Sequence, residues 1–509
     1  MRTNIAVLAL GLALGGTGLR AEEPLSAIDW LSNSVSAPRV PAPLGEADVA
    51  DSAAPETITV TALDAPSRDA VGLLPAAATG LPRGLWGTTP EAELARLIGA
   101  AHVEALPSVQ ALLYTLLLAE LDPPVDADGK DRLLLARLDK LLDLGAVEAA
   151  QALLERAGPT DPALFRRWFD VSLLTGHEDR ACAAMRAAPG IAPTFPARIF
   201  CLARGGDWNA AMLTLETGKA LGYIAPEDDA LLLRFLDPEF ADGADPLPAP
   251  PRPSPLVFRM MEAIGEPLPT APLPLAFAQA DLRSTAGWKP RVEAAERLAR
   301  SGAIAPNRLL GVYTERLPAA SGGVWDRVEA VQQFDVAVLS GDPVAVANAL
   351  HPAWEQITRA GLEAPFAQLY GERLARIPLS GKVAALAFRI GLLSDGYEAI
   401  ARAHTPQDGT EAFLKALAMG DLSQQRAAGQ TAMAVQEAFA DAPLAPAFAA
   451  NLRDGNTGEA ILKAIRLVGD GARGDVTDVT DGLALFRRVG LEEVARRAGL
   501  ELMILERRG

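Results

Sequence analysis

Residues 145–162, GAVEAAQALLERAGPTDP, are answered one unit later by 176–193, GHEDRACAAMRAAPGIAP, and again by 206–215, GDWNAAMLTL. Gly145, Gly176 and Gly206 stand about 30 residues apart. Each has Ala five positions on (Ala150, Ala181, Ala211) and a large apolar residue nine positions on (Leu154, Met185, Leu215). After the first two come Ala157 and Ala188, then Pro162 and Pro193. The spacing has a direct physical reading. Gly permits a tight turn between two helices, and the small Ala lets the second helix press on the first. The large residue fills the groove between them, and Pro opens the next helix. Self-similarity at this period predicts stacked helical hairpins, an all-α chain built as an αα-superhelix.

Composition agrees. Half of the 509 residues are hydrophobic but only 5% are aromatic. A core made mainly of Ala and Leu suits close-packed helices better than pleated sheets. The formal charge of −17 leaves no excess of cations to replace the counterions of a phosphate backbone, so no nucleic-acid partner is expected.

Outward from the repeats, the chain divides into five parts. Residues 1–21 read as a signal peptide: Arg2, an apolar run from Ile5 to Leu14, loosening glycines, and Ala21 before Glu22-Glu23-Pro24. That run is too short for a comfortable membrane span, as is Val109–Leu121. The expectation is a periplasmic or secreted chain with no transmembrane anchor once the leader is cleaved. Residues 22–87 are rich in Pro and Ala and read as a disordered tether, with one strand-like alternation at Ile58-Thr59-Val60-Thr61. Residues 88–243 form the helical repeat domain, opened by Thr89-Pro90-Glu91 as an N-cap and first turn. Residues 244–275 form a Pro-rich linker and the expected domain boundary, and residues 276–509 a second helical domain. Its last helices, with Arg487, Arg488, Arg496 and Arg497 outward, are suited to capping a solenoid.

The offsets over residues 130–225 resemble the second half of a tetratricopeptide repeat. The period is shorter than that family's, and the Trp-Leu-Gly-Tyr pattern of its first helix is missing. The resemblance implies a solenoid with a concave surface for a protein or peptide. Residues 58–82 are also similar to an exported alphaproteobacterial family without an established activity, some of whose members carry an antifreeze-glycopeptide label. Only Ala77-Ala78-Thr79 fits the repeat behind that label.

Chemistry-bearing motifs are few. His102, His177, His351 and His404 are far apart, and no Cys-x-x-Cys occurs, so no local metal site is expected. His177 is read as a helix-start residue. Gly-x-Ser-x-Gly and Ser-x-x-Lys are both missing. The dinucleotide-like spacing Gly469, Gly471, Gly474 follows a helical run rather than a strand and is read as a loop. Asp475, Asp478 and Asp481 do not fit the every-second-residue spacing of a calcium loop. Thr480 or Asp481 is read as the cap of the terminal helix. Cys182 and Cys201 fall at similar heights on consecutive antiparallel helices and, in an oxidising compartment, are candidates for a disulfide; two buried thiols are the alternative.

The sequence therefore points to a non-catalytic scaffold or adaptor with no cofactor, holding a protein or peptide partner in the cell envelope. Two alternatives stand beside it. One is a glycan-acting enzyme of the helical lytic transglycosylase type, which would need a catalytic Glu in a compact lysozyme-like domain. The other is a solute-binding or surface protein.

Overall fold

The computed structural model describes residues 67–241, 245–440, 443–472 and 474–505. The signal-peptide segment 1–21 and residues 22–66 of the tether, with the Ile58–Thr61 alternation, lie outside them. The described residues form twenty-five α-helices and no strand. Successive helices pack as antiparallel neighbours: Arg132–Asp143 on Val147–Ala157, Val147–Ala157 on Pro162–Thr175, Glu178–Ala187 on Phe195–Arg204, and Phe195–Arg204 on Trp208–Ala220. The glycine turns work as the spacing requires. Gly145, Gly176 and Gly206 sit at φ 75°, 80° and 84°, where an L side chain is strained. Ala150, Ala181 and Ala211 are fully buried, as are Leu154 and Leu215, with Met185 nearly so.

Several expectations need correction. The tether was expected to run to Gly87, but residues 67–87 are folded onto the helices. Leu81, Leu85 and Trp86 are buried, and Leu74 makes a single parallel bridge to Ala119. Proline abolishes helical periodicity here without abolishing burial, because single apolar side chains can dock one by one. Thr89 is not an N-cap; its hydroxyl donates to Glu459 Oε2 at 2.9 Å, and the first amide of helix Glu91–Gly99 donates to Asp126 at 2.9 Å instead. Helix Val476–Arg488 is capped by Asp475, which accepts from Thr477 N at 3.1 Å, rather than by Thr480 or Asp481.

The Pro-rich belt does not separate two cores. Within it the helix Pro255–Ala263 is opened by Pro255 and capped by Ser254. It buries Leu256, Phe258, Met260 and Met261 and packs on Pro162–Thr175. Arg259 donates to Glu178 at 3.0 Å, stitching the belt to the second repeat, and Arg283 donates to Glu262 at 2.9 Å, tying it to the segment that follows. One apolar core runs from Leu81 to Ala280 and continues through Phe388 to Leu500; the other occupies Ala278 to Leu393 and includes Leu505.

The first and last long helices of the described residues meet. Helix Thr457–Gly471 packs on Glu91–Gly99 and Pro107–Leu118, and helix Glu492–Ile504 packs on Pro107–Leu118. Gly458 admits Trp86, since a Cβ there would fall 2.5 Å from the indole; Gly469 similarly admits His102. The glycines at 469 and 471 thus lie in the last turn of a helix and allow close packing, which replaces the loop reading of that segment. Thr88 N donates to Asn456 at 2.8 Å, and Glu501 accepts from Ser108 N at 3.0 Å with both carboxylate oxygens.

Helix Pro162–Thr175 is buried on nearly every side and carries Asp170 inside the core. Burial raises this carboxyl to about 7 from an ordinary 3.8, against the opposing pull of Arg166. The unfolded chain therefore releases a proton between about pH 4 and 7 that the folded chain retains. Asp170's contribution is fully favourable below about pH 4 and is lost as pH rises to about 7, a change on the order of 4 kcal/mol. Comparing urea midpoints across this window should show wild type falling relative to Asp170→Asn. Parallel curves for the two proteins would contradict the assignment.

Candidate functional site

The repeat turns are unequal in what surrounds them. A Cβ at Gly145 would fall 2.7 Å from Leu298 and 2.8 Å from Leu275, and Gln279 Nε2 donates to the Gly145 carbonyl at 3.0 Å. Gly176 faces Arg283. The segment after the Pro-rich belt thus covers the first two turns. Around Gly206 there is open space. The third hairpin, helices Phe195–Arg204 and Trp208–Ala220, is the part of the array whose turn stays uncovered.

That hairpin is tied to the second by a disulfide between Cys182 and Cys201, whose Cα atoms are 5.1 Å apart. Both sulfurs are buried between helices Glu178–Ala187 and Phe195–Arg204. Cross-linking a loop of this size contributes about 3 kcal/mol through the unfolded state. A Cys182→Ala/Cys201→Ala variant should lose that increment in urea and become indifferent to reductant. A wild-type midpoint unmoved by dithiothreitol would refute it.

On helix Trp208–Ala220 the buried face is set by Ala211, Leu215 and Gly218. Gly218 lets the helix approach Phe195 and Ile224, and the Phe195 and Tyr223 rings stack with centroids 4.8 Å apart. Leu213 falls off this face and is 69% exposed; Trp208, Leu221 and Tyr223 are also exposed. Acidic groups surround them. Asp207 caps its own helix through Ala210 N, and Glu227, Asp228 and Asp229 open the next helix, Pro226–Leu236. Burial and the neighbouring Glu227 push the Asp228 carboxyl up. Lys219 bridges to Asp229 at 3.1 Å and Glu216 at 3.5 Å.

A second apolar tip lies where helices Val324–Ser340 and Pro343–Arg359 join. Val336, Leu339 and Val344 are each 67% exposed there.

The histidines lie on different helices and turns. His102 Nε2 lies 2.9 Å from Asp470, and His404 Nε2 lies 2.8 Å from the buried Glu411 while its ring stacks on Phe388. His177 occupies the N-cap position of helix Glu178–Ala187 with Nδ1 3.1 Å from Thr175 Oγ1, and His351 is exposed. Among the described residues no three His, Cys, Asp or Glu side chains converge as a metal site requires, and no helix is long and apolar enough to cross a membrane.

No family model matches this chain, nor does any curated protein or solved structure.

The geometry places the repeat turns Gly145 and Gly176 under cover and leaves exposed apolar side chains along the third hairpin, Trp208 beside its turn and Leu221 and Tyr223 at the far end of helix Trp208–Ala220. Sequence reading missed Trp208, Leu213, Leu221 and Tyr223 as a group. A signal was present: once Ala211 and Leu215 define the inward face, Leu213 is an apolar residue pointing elsewhere.

Proposed function

We propose that this chain is an exported, non-catalytic scaffold or adaptor that holds a protein or peptide partner in the cell envelope on its helical hairpins. The observation that carries this reading is the pair of uncovered apolar tips, at Trp208–Tyr223 and Val336–Val344, on an otherwise well-packed helical array. Clustered exposed apolar side chains on a soluble surface are the mark of association sites. The leader-like start, Arg2 with the run Ile5–Leu14, supports export.

Site-specific crosslinking tests the reading in living cells. A photoreactive residue replacing Leu213 or Leu339 should trap one dominant protein, whereas the same residue replacing the exposed Glu355 should trap none. Absence of a protein adduct at both tips, with glycan or a small solute copurifying instead, would overturn the scaffold reading in favour of an enzyme or solute-binding protein.

A further inference from the structure

We propose that the edge formed by helix Trp208–Ala220 and the turn through Tyr223 docks a positively charged, amphipathic helical segment of a partner protein. This rests on the scaffold reading and names the chemistry of its partner.

The apolar half of the inference comes from the distribution of exposed side chains. Among the described residues ten large hydrophobics are exposed, and four of them, Trp208, Leu213, Leu221 and Tyr223, fall in this one hairpin. Leaving Leu and Trp side chains in water forfeits the stabilisation that burial gives, so an edge of this kind is matched to something that covers it. The chain's own second half does not, since it packs over the turns at Gly145 and Gly176 and leaves the turn at Gly206 open. The platform is rigid. The disulfide fixes helix Phe195–Arg204 to its neighbour, and the stacked Phe195 and Tyr223 rings anchor the far end of helix Trp208–Ala220.

The charged half comes from the rim. Between Gly205 and Leu233 the acids are Asp207, Glu216, Glu227, Asp228 and Asp229, and the sole base is Lys219, already bridged to Glu216 and Asp229; of the nearby arginines, Arg204 is bridged to Glu178 and Asp179, Arg234 to Glu266, and Arg186 lies beside Gly205. Asp207 and Glu227 are exposed and have no cationic partner among the described residues. A second copy of this chain, at −17, would bring acid to acid on this edge. A neutral apolar segment would leave the rim uncompensated. A helix with one apolar face flanked by Lys or Arg satisfies both parts. The docking helix has thirteen residues, about 20 Å, which matches a partner segment of three to four turns.

The test uses the whole chain and a fluorescein-labelled Leu/Lys amphipathic peptide of about five turns, with its Leu/Glu counterpart as control. Anisotropy at low ionic strength should show saturable binding of the Leu/Lys peptide, weakened by added salt. Leu213→Asn with Leu221→Asn, and separately Glu216→Lys with Glu227→Lys, should each weaken it by about tenfold or more. Val336→Asn with Leu339→Asn should leave it unchanged. Unaltered melting curves by circular dichroism confirm that these exposed substitutions leave the fold intact. Equal affinity for the Leu/Glu peptide, indifference to the Leu213/Leu221 pair, or concentration-dependent dimerisation abolished by that pair would each overturn the proposal. If the proposal fails while a photoreactive residue at position 339 still traps one protein, the scaffold reading survives without it; if both fail, both are wrong.

Discussion

Replacing Arg137 with Met should cost about 3–5 kcal/mol and detach the folded segment that precedes the first long helix. Arg137 is 2% exposed on helix Arg132–Asp143. Its guanidinium donates to three main-chain carbonyls: Leu117 at 2.8 Å, Ala119 at 3.0 Å and Asp69 at 3.1 Å. Leu117 lies in the last turn of helix Pro107–Leu118, Ala119 follows it, and Asp69 belongs to the segment folded back over both. One planar fork therefore satisfies backbone acceptors from two separate stretches. Burial lowers its pKa to about 10, so it stays charged at neutral pH. Met fills similar space and leaves all three carbonyls without a donor in a site closed to water. Lys keeps the charge but cannot reproduce the fork geometry, so Arg137→Lys should recover only part of the loss. Urea midpoints measure the cost, and limited proteolysis should show early cleavage near residues 67–80 in the Met variant alone. An unchanged digestion pattern would show that the segment is held by its apolar contacts, Leu81, Leu85 and Trp86, instead.

Replacing Glu501 with Ala should open the contact between the last described helix and helix Pro107–Leu118, at a cost of about 3 kcal/mol. Glu501 is 4% exposed on the last helix, and its carboxylate accepts from Ser108 N and, at 2.8 Å, from Ser108 Oγ. Leu106, at the N-cap position of helix Pro107–Leu118, offers no side-chain acceptor. The first turn of that helix thus takes its cap from a residue 393 positions later, and the anion sits at the positive end of the helix dipole. Alanine leaves a buried amide and hydroxyl unmet. Glu501→Gln keeps the shape and one acceptor, and should cost about half as much. Hydrogen exchange should quicken together at residues 107–110 and along Thr457–Gly471 and Glu492–Ile504. Faster exchange confined to residues 107–110 would show that these helices hold together without this carboxylate.

The helical class was legible because Gly145, Gly176 and Gly206, with their Ala and large apolar partners, repeat a local rule that needs no knowledge of distant residues. The contact between the first and last described helices was not legible. Ser108 with Glu501, Thr88 with Asn456 and Thr89 with Glu459 are single pairings hundreds of residues apart, and none belongs to a period. Thr89 shows the difficulty well. Beside Pro90 and Glu91 it has every local feature of a cap, and a carboxylate from a distant part of the chain takes its hydroxyl instead. The uncovered third turn was half legible. The sequence shows Gly206 as a turn, but whether other parts of the chain lie over it depends on where residues 275–298 pack, which only the folded molecule displays.

The meeting of these helices also sets a schedule. Helices Glu91–Gly99 and Pro107–Leu118 lie against Thr457–Gly471 and Glu492–Ile504, so these early helices lack their final neighbours until residues 457–504 have emerged. High contact order at this one seam delays completion of the N-terminal core, even though the intervening hairpins are local and form fast. A polypeptide built this way commits to its native state only after its late helices are made, and it stays threadable until then.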